Sequence, residues 1–429
     1  MRTITILMVL VGIVFGAISR AGVELSPEAL LPVHDGRDAY TPAVAAGAGI
    51  FLVVWQSGRL GPGDIREGLN FNGDIVGCRV DTSGKILDEK PLVISAAPDL
   101  QERPRITFDG KNFLVVWQDL RPLAGSGEMT GSDYDVYAAR VTPEGKVLDP
   151  EGILVCGGKG NQANPRVAWD GKTFVVVWQD FRNGSFYEVY GGRVSSDGKV
   201  LDPGGVKLVA GGGVTRQRYT PAVASTGDGR SFVVWAGGHG RKTEAGGVFV
   251  ADGKPAGEVV YKDVDTRGHG PGGPANPISL SAGPGCYLAA WRTSAPISRG
   301  DTGGKSTAAI IDASGEIKKR LFLAGKEHRT HETDVAWDGK SFVAVWYEFM
   351  TSGRGEKAHP YFAVLAARVT ADGEVEGQPM AVAGSQPAPA CFASVASDGK
   401  GVSLICYEQH PKDAETPIKI GYRLLRAEQ

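Results

Sequence analysis

The sequence has no surplus of positive charge. Its 46 Lys and Arg residues are balanced by 48 Asp and Glu residues, the formal net charge is -2 and the isoelectric point is about 6.4. Proteins that bind nucleic acid or anionic lipid need a basic surface to attract phosphate groups. We therefore do not expect nucleic acid as a partner.

Cysteine is scarce, with five residues in a chain of 429. This number is too small for a disulfide framework, and because it is odd at least one thiol stays unpaired. Cys391 and Cys406 flank the turn Asp398-Gly399 symmetrically, so a two-residue hairpin would set them opposite each other on adjacent strands. Whether they are bridged stays open at this point. The other three are predicted to be buried small hydrophobes: Cys78, Cys156 and Cys286.

Long apolar runs are absent except at the amino terminus. Arg2 precedes an apolar run from Ile4 to Phe15, and small residues follow up to Ser19. This layout is typical of a secretory signal peptide, and the run is too short to span a bilayer. We predict removal of residues 1–19 and a secreted, periplasmic or cell-envelope protein that does not span the membrane. An uncleaved amino-terminal anchor is the alternative.

Several catalytic signatures are also missing. The sequence contains no Gly-x-Ser-x-Gly elbow, phosphate loop, dinucleotide fingerprint or His-Glu-x-x-His pair. Calcium loops of the Asp-x-Asp-x-Asp-Gly type are absent too. The repeating segments of the sequence also lack the periodicity of an amphipathic helix.

A repeated segment dominates what the sequence does contain. Phe113 to Gln118 reads Phe-Leu-Val-Val-Trp-Gln, and Phe174 to Gln179 nearly repeats it. The repeats follow one another at intervals of 55 to 62 residues, and their tryptophan position is held by Trp55, Trp117, Trp178, Trp235, Trp291, Trp346 and Tyr407. A near-constant period of this length is typical of a repeat architecture in which each unit buries its apolar face against its neighbours.

The third copy shows how one unit folds. Pro165–Trp169 reads as a strand, and Asp170-Gly171 is a two-residue hairpin signal. The next strand, Thr173–Trp178, is apolar on both faces and must lie between two other sheets. Glu188–Val194 and Val200–Val209 supply a third and a fourth strand. Four antiparallel strands per unit, stacked around an axis, predict an all-β propeller blade.

The two ends of the chain predict how the ring closes. The last unit stops after its third strand, Ile418–Leu425, whereas Leu25–Leu31 resembles the fourth-strand segment Leu148–Leu154. Pairing the amino-terminal strand with the last blade removes the open edges. We predict one seven-bladed domain over residues 20–429, with the first strand of each blade lining a central channel. The blades are expected at about 40–95, 102–157, 163–210, 219–262, 276–324, 333–383, and 391–429 with 22–33.

The unit Asp-Gly-x-x-Phe-x-Val-x-Trp-x-Asp-x-Arg, with a later Asp-x-Tyr-x-x-Arg-Val, resembles the tandem propeller repeats of exported bacterial proteins. The resemblance covers residues 22–429 and implies the fold. The functions of these proteins are mostly unassigned, so it implies no chemistry.

One arginine recurs in the third strand of five blades. A binding site is normally built once, whereas packing is built in every repeat, so we expect these arginines to form ion pairs or to protect strand edges. They are Arg79, Arg140, Arg193, Arg368 and Arg423.

All seven histidines fall on one predicted face, which we call the long-loop face. It carries the blade-to-blade connections and the loops between second and third strands, including the long loops 57–73 and 120–134. The histidines avoid the loops of blades two and three. Long loops hold most loop residues, so this distribution also has a purely statistical explanation. They are His34, His239, His269, His328, His331, His359 and His410.

Two groups of site candidates follow from this face. Catalytic candidates are His269, His328, His331, His359, His410, Tyr347 and Glu348, with His328 and His331 as a candidate pair for one divalent metal. Candidate ligand-binding residues are Arg292, His239, Glu408, Arg59, Arg121 and Arg182. The last three arginines follow a Trp-Gln pair in blades one to three. They either contact a polymer in register or, as we favour, cap the strand and hold the loop.

The leading functional hypothesis is a binding module for a glycan or a cell-surface protein, acting through the long-loop face. The alternative is a metal-assisted or His/Tyr-type polysaccharide lyase or glycoside hydrolase with its site over blades four to seven. A third is a structural module of an envelope complex. The ligand, the metal and the oligomeric state stay open.

Overall fold

Strands are the only regular elements in the described part of the chain. The computed structural model describes residues 18–20, 22–58, 72–121, 133–210, 218–239, 242–261, 277–293, 305–324, 330–352, 359–385, 388–413 and 415–428. Within these ranges there is no helix long and apolar enough to cross a membrane. The predicted signal peptide lies outside the described residues except for its last two positions.

Within the described ranges, thirty strands form the sheets. Three short ones come first: β1 (Ile18–Arg20), β2 (Val23–Leu25) and β3 (Ala29–Leu30). Blade one contains β4 (Ala39–Gly47), β5 (Ile50–Ser57), β6 (Asp74–Asp81) and β7 (Leu92–Ser95). Blade two contains β8 (Gln101–Phe108), β9 (Phe113–Asp119), β10 (Asp135–Val141) and β11 (Ile153–Cys156). Blade three contains β12 (Gln162–Trp169), β13 (Phe174–Asp180), β14 (Glu188–Val194) and β15 (Val206–Val209).

The remaining blades follow the same order. Blade four contains β16 (Arg218–Ser225), β17 (Arg230–His239), β18 (Lys242–Ala251) and β19 (Lys254–Tyr261). Blade five contains β20 (Ile278–Gly283), β21 (Cys286–Thr293), β22 (Lys305–Asp312) and β23 (Ile317–Phe322). Blade six contains β24 (Thr330–Trp337), β25 (Phe342–Ser352), β26 (His359–Val369) and β27 (Val375–Ala383). Blade seven contains β28 (Ala390–Ser397), β29 (Val402–Gln409) and β30 (Lys419–Ala427).

Each blade is an antiparallel meander, and the seven blades form a ring. The first strand of each blade lies at one edge of its sheet and contacts the first strand of the next blade, so these strands surround the channel. In the last sheet, β2 and β3 pair with the outer side of β30, and β1 pairs with β2. The prediction of an all-β, seven-bladed propeller with four-stranded blades is confirmed.

The second strand of each blade forms the core between blades. All seven residues of β13 are buried, as expected for a strand that is apolar on both faces. Val176 packs in a cluster with Leu114 and Val116 of blade two, whereas Val177 packs with Val233 of blade four. Alternate side chains therefore join each blade to both neighbours. Full burial of each such side chain contributes about 1.5–3 kcal/mol.

The repeated third-strand arginines link strands and blades. Arg140 Nε donates to Asp149 Oδ2 at 2.8 Å, and Arg79 Nη2 donates to Asp88 Oδ1 at 2.6 Å. Arg79 Nη1 also reaches the carbonyl of Pro143 in blade two at 3.1 Å. In that turn Gly145 has a φ of 89°, and a Cβ there would lie 2.9 Å from Arg79 Nε, so glycine is required on both grounds. The predicted ion pairs are present in these blades.

A β-bulge interrupts the first strand of most blades. Register shifts occur in β4, β8, β12, β16, β24 and β28. In five of these strands the bulge residue has a positive φ although it is not glycine: Thr41, Arg103, Asn164, Thr220 and Phe392. A bulge leaves backbone groups outside the ladder and turns side chains toward new neighbours. Here it lies at the long-loop end of the channel.

The turn between β28 and β29 overturns the predicted cysteine register. Ser397 pairs with Ser403, so five residues lie between this pair where the predicted hairpin had two, and Cys406 therefore pairs with Ser394. The bulge between Cys391 and Ser394 then sets Cys391 opposite Glu408. The expectation that the two cysteines face each other was wrong, because the turn is longer than a two-residue hairpin. All five cysteines are free thiols and buried.

Candidate functional site

One position of the repeat changes its chemistry around the ring. The residue after the second-strand tryptophan or its tyrosine replacement lies near the long-loop end of the channel. In blades one to seven it is, in order, Gln56, Gln118, Gln179, Ala236, Arg292, Tyr347 and Glu408. The first three blades thus share an amide, whereas the last four differ from one another.

The glutamines of this position have a structural role. Gln118 Oε1 accepts a 2.9 Å hydrogen bond from the backbone N–H of Asn164, and Gln179 Oε1 accepts one of 3.1 Å from Thr220. In both cases the donor is the bulge residue of the following blade, whose N–H no longer pairs within its own sheet. Each glutamine therefore satisfies a buried backbone donor and joins two blades.

One carboxylate oxygen of Glu408 accepts the equivalent hydrogen bond from the next blade, and the other oxygen makes different contacts. Its Oε1 accepts a 2.7 Å hydrogen bond from the N–H of Thr41. Its Oε2 lies 3.2 Å from His410 Nε2 and 3.9 Å from Cys391 Sγ, and that sulfur lies 3.3 Å from the same nitrogen. Burial, together with the neighbouring charge of Glu408, raises the pKa of the Cys391 thiol.

Cys391 is not among the site candidates predicted from the sequence, where it is half of a possible disulfide. Glu408 and His410 are two positions apart, and that spacing places two side chains on one face of an extended segment. This was the available signal, but the bulge that brings Cys391 opposite Glu408 has no glycine to mark it.

An aromatic cluster adjoins these three residues. The ring of Tyr347 stacks on His331 with a centroid distance of 4.8 Å and an interplanar angle of 7°. Phe362 meets the same ring edge-on at 5.6 Å, and Phe392, the neighbour of Cys391, lies 5.3 Å away. The site candidates His331, His410, Tyr347 and Glu408 are thus grouped at blades six and seven.

Electrostatic effects connect Tyr347 with its charged surroundings. Burial raises the pKa of the Tyr347 hydroxyl, and the charges of Glu332 and Glu408 raise it further, so the phenol stays protonated at neutral pH. The guanidinium of Arg292 acts in the opposite direction. Burial in turn lowers the pKa of Arg292. A neutral phenol, an imidazole and a cation therefore occupy neighbouring positions.

Glu348 lies in the interior of blade six. It is 1% exposed, and its Oε1 accepts a 2.8 Å hydrogen bond from Trp346 Nε1. Asp119 and Asp180 make the same contact with Trp117 and Trp178. The structure thus places this catalytic candidate in a contact that the repeat uses for packing.

Arg121 and Arg182 are held by the same buried carboxylates. Arg121 Nη2 lies 2.6 Å from Asp119 Oδ2, and its guanidinium stacks on the ring of Tyr137 at 4.2 Å. Arg182 repeats this arrangement, with Asp180 at 2.6 Å. These contacts cap the end of the second strand, which is the interpretation that the sequence favoured.

Two further arginines lie inside the channel. Arg105 and Arg166 occupy equivalent positions in blades two and three, and both are half-buried. Burial lowers the pKa of each, and for Arg166 the charge of Arg105 adds to the effect. Neither is among the predicted site residues, because both lie in Pro-Arg segments that the sequence indicates only as parts of a strand.

Several predicted residues cannot be placed in the site. Arg59, His269 and His328 lie outside the described residues, and so do most of the loops 57–73 and 120–134. His239 ends β17 and His359 begins β26, and only their backbone is described. The proposed metal pair of His328 and His331 is therefore represented by His331 alone.

Comparison with known proteins gives the fold and little more. No family model matches the chain, and no curated protein matches it either. A PL25 polysaccharide lyase, an ulvan lyase solved with bound -[GlcA(1-4)Rha3S]-, is similar with a TM-score of 0.54 and 8% identity, over 91% of this chain and 95% of that one. The resemblance to repeats of exported bacterial proteins stays an interpretation.

Two other solved structures are similar at lower scores. A protein of unknown function from Dyadobacter fermentans has a TM-score of 0.49 and 12% identity over 95% of this chain and 100% of that one. Trypanosoma rangeli sialidase with the inhibitor DANA has a TM-score of 0.44 and 9% identity over 90% of this chain and 55% of that one. At these identities the likeness to all three structures concerns the fold alone.

Proposed function

We propose that this protein binds an acidic glycan at the long-loop end of its channel, over blades five to seven. One observation carries the proposal. The position that holds a structural glutamine in blades one to three holds Arg292, Tyr347 and Glu408 in blades five to seven. Blades with the same backbone need no such variety, so we attribute it to contact with a ligand.

The chemistry of this group suits a sugar that carries a carboxylate or sulfate. A guanidinium such as that of Arg292 pairs with planar anionic groups through two parallel hydrogen bonds. The half-buried ring of Phe392 can offer an apolar face to the C–H side of a sugar ring, and the buried Tyr347 supports it from below at 5.3 Å. Small-molecule sites are usually lined by apolar and aromatic side chains with a few polar groups among them.

Two further features support an anionic ligand. Arg103, at the bulge of blade two, is exposed, and Arg105 and Arg166 lie in the channel. The similar ulvan lyase was solved with a bound unit that contains glucuronic acid and a sulfated rhamnose. The export predicted from the amino-terminal segment would bring the protein to extracellular polysaccharides.

A binding experiment tests this proposal. The purified protein is applied to an array of neutral, uronate-containing and sulfated polysaccharides, and affinities for those retained are measured by calorimetry. We expect acidic glycans only, with affinity reduced at least about tenfold, or 1.4 kcal/mol, in Arg292→Gln. Arg230→Gln is the matched control, since Arg230 stacks on Phe249 at the opposite end of blade four.

Two results would overturn the proposal. One is an Arg292→Gln protein that folds normally and binds acidic glycans as tightly as the wild type. The other is a wild-type protein that ignores every acidic glycan and instead retains a cell-surface protein.

A specific contact favours a second function, cleavage of a bound uronate polymer by elimination. His331 stacks on the protonated Tyr347 beside Arg292. In such a reaction the imidazole would take the C5 proton, Arg292 would neutralise the carboxylate, and the phenol would protonate the departing glycosidic oxygen. The C4–O bond breaks as a C4–C5 double bond forms, so the step needs no other reactant.

Elimination is simple to detect, because the unsaturated uronate product absorbs ultraviolet light. We expect this absorbance to appear with wild-type protein and to be lost in His331→Gln and Tyr347→Phe. Glycan binding without any new absorbance would leave the binding function standing and reject the lyase.

A further inference from the structure

Three different metal-ligating side chains meet at one point in blade seven. They are Cys391 on β28, Glu408 on β29 and His410 just beyond the end of β29. Their ligand atoms all lie within 4.8 Å of one another, and within the described residues no other group of three or more His, Cys, Asp or Glu side chains meets this condition.

The distances match those of a tetrahedral zinc site. Zinc bonds of about 2.3 Å to sulfur and about 2.0 Å to nitrogen or oxygen place sulfur about 3.5 Å from the other two ligands and place nitrogen about 3.3 Å from oxygen. The observed distances are 3.3 Å from Sγ to Nε2, 3.9 Å from Sγ to Oε2 and 3.2 Å from Nε2 to Oε2. A small rotation of Glu408 would close the one longer edge.

The same contacts argue against a proton relay. In a nucleophile–histidine–carboxylate triad, the nucleophile and the carboxylate bind opposite nitrogens of the imidazole ring. Here both Cys391 Sγ and Glu408 Oε2 approach Nε2. One N–H at that nitrogen cannot point well at both atoms, whereas a cation among the three would satisfy all of them.

The surrounding fold orients the ligands before any ion is bound. Cys391 and Glu408 are directly paired across the ladder, in the register that the bulge creates. The N–H of Thr41 holds the second oxygen of Glu408, and the N–H of His410 donates to the carbonyl of Pro389 at 2.9 Å. Such secondary contacts are typical of metal sites, where they fix the direction of each ligand.

We propose that Cys391, Glu408 and His410 bind a zinc ion. A thiolate, an imidazole and a carboxylate are a ligand set suited to zinc, whereas calcium and magnesium prefer oxygen alone. The side chain of Glu408 is 2% exposed and that of His410 is 36% exposed, so the fourth position opens to solvent beside the histidine. Three protein ligands and an open position are the arrangement of catalytic zinc sites. The proposal does not depend on glycan binding.

Metal titration of the purified full-length protein tests the site. After treatment with a chelator, the protein is titrated with Zn²⁺ and, separately, with Co²⁺, whose bond to a thiolate gives a charge-transfer absorbance. We expect one ion per chain, the thiolate–cobalt band, and a higher midpoint of thermal unfolding with Zn²⁺. Cys391→Ser should lose the band, and His410→Gln should bind Zn²⁺ at least about tenfold more weakly.

Matched controls come from the same chain. Cys406→Ala removes a buried thiol from the next strand, and His34→Gln removes a histidine of the same face, whose Nε2 lies 3.6 Å from Asp74. Both should bind Zn²⁺ as the wild type does. The proposal is wrong if the stripped wild-type protein takes up no Zn²⁺, or if folded Cys391→Ser and His410→Gln bind it with unchanged affinity. Should Cys391→Ser fail to fold, the partly exposed His410 decides the matter.

Discussion

The carboxylate of Glu408 accepts a 2.7 Å hydrogen bond from the backbone N–H of Thr41. These residues belong to the last and the first blade and are 367 positions apart in the sequence, so the bond spans the junction at which the ring closes. The equivalent bonds elsewhere use Gln118 and Gln179. At the junction an acid replaces the amide, and its second oxygen faces Cys391 and His410.

Substituting Glu408 should separate its two roles. Glu408→Gln retains the acceptor for Thr41, as glutamine does in other blades, and should leave the free energy of unfolding almost unchanged. Glu408→Ala leaves a buried N–H without an acceptor and should cost about 1–3 kcal/mol. Chemical denaturation measures both. Affinity for Zn²⁺ should fall in both variants, because neither retains the carboxylate. Equal destabilisation by the two substitutions would show that the charge, and not the hydrogen bond, stabilises the junction.

The contacts of Asp180 predict that Arg182 is structural. Asp180 is fully buried and accepts hydrogen bonds from Trp178 Nε1 at 2.8 Å and Arg182 Nη2 at 2.6 Å. Asp180→Ala removes both acceptors and should lower the free energy of unfolding by about 2–4 kcal/mol. Asp197→Ala, on an exposed turn of the same blade, is the control and should have little effect. A stable Asp180→Ala protein that no longer binds glycan would instead assign these residues to the ligand.

Much of the fold could be predicted because each blade repeats the same physical demands. A second strand that is apolar on both faces, as in Phe174–Asp180, can only lie between two sheets, and an Asp-Gly pair marks the turn before it. That turn is not the predicted two-residue hairpin, because Trp169 pairs with Phe174 and four residues lie between them. The bulge could not be predicted. Its positive φ falls on residues such as Thr41 and Phe392, where the sequence has no glycine to indicate it. The error in the cysteine register has another cause, since five residues and not two separate the paired Ser397 and Ser403.

The site was predicted in outline only. Loss of the repeated glutamine pointed to blades four to seven, which is where Tyr347, His331 and Glu408 lie together. The composition of the cluster was not predictable, because Cys391 reaches His410 only in the register that the bulge creates, and because the charge of Arg105 acts on Arg166 of the neighbouring blade. Such contacts depend on how strands pair and how blades pack. The spacing of residues within one strand does not give this information.

Asp135 predicts a pH dependence of stability. Burial raises its pKa to about 6, the N–H of Gly158 opposes this, and the charges of Asp119 and Asp133 add to it. Because the pKa of this carboxyl is higher in the folded than in the unfolded state, the folded protein binds the proton more tightly. The resulting contribution to stability is complete below the unfolded-state pKa and is lost as the pH rises through the folded-state pKa. Asp135→Asn should therefore match the wild type near pH 4 and exceed its unfolding free energy by on the order of 2 kcal/mol above pH 7.

Asp202 gives the control with the opposite sign. A hydrogen bond from Arg193 lowers its pKa, so its contribution is present above the unfolded value and is lost as the pH falls through the folded value. Asp202→Asn should be less stable than the wild type at pH 7, and the difference should shrink in acid. Denaturation curves across pH 3–8 measure both variants. Parallel pH profiles for Asp135→Asn and wild type would contradict the first prediction.

The channel arginines predict a conflict between stability and binding. Other blades place small or acidic residues at the position of Arg166, including Ala43, Ala222 and Asp334. Burial and the charges of Arg105 and Arg103 disfavour this guanidinium, and the charges of Asp334 and Glu332 oppose them only in part. Arg166→Met should therefore raise the free energy of unfolding by about 1 kcal/mol. The same substitution removes a cation from the channel and should weaken the binding of acidic glycans.

Arg140→Met is the matched control for Arg166→Met, because Arg140 is held by Asp149 at 2.8 Å and should lose stability when it is replaced. Calorimetric unfolding and glycan titration of both variants separate the two kinds of arginine. If Arg166→Met is as destabilised as Arg140→Met, the channel arginine is part of the packing. If it is stabilised and binds less glycan, the protein keeps a mutually repelling pair of charges at a cost in stability, and an anionic ligand supplies the reason.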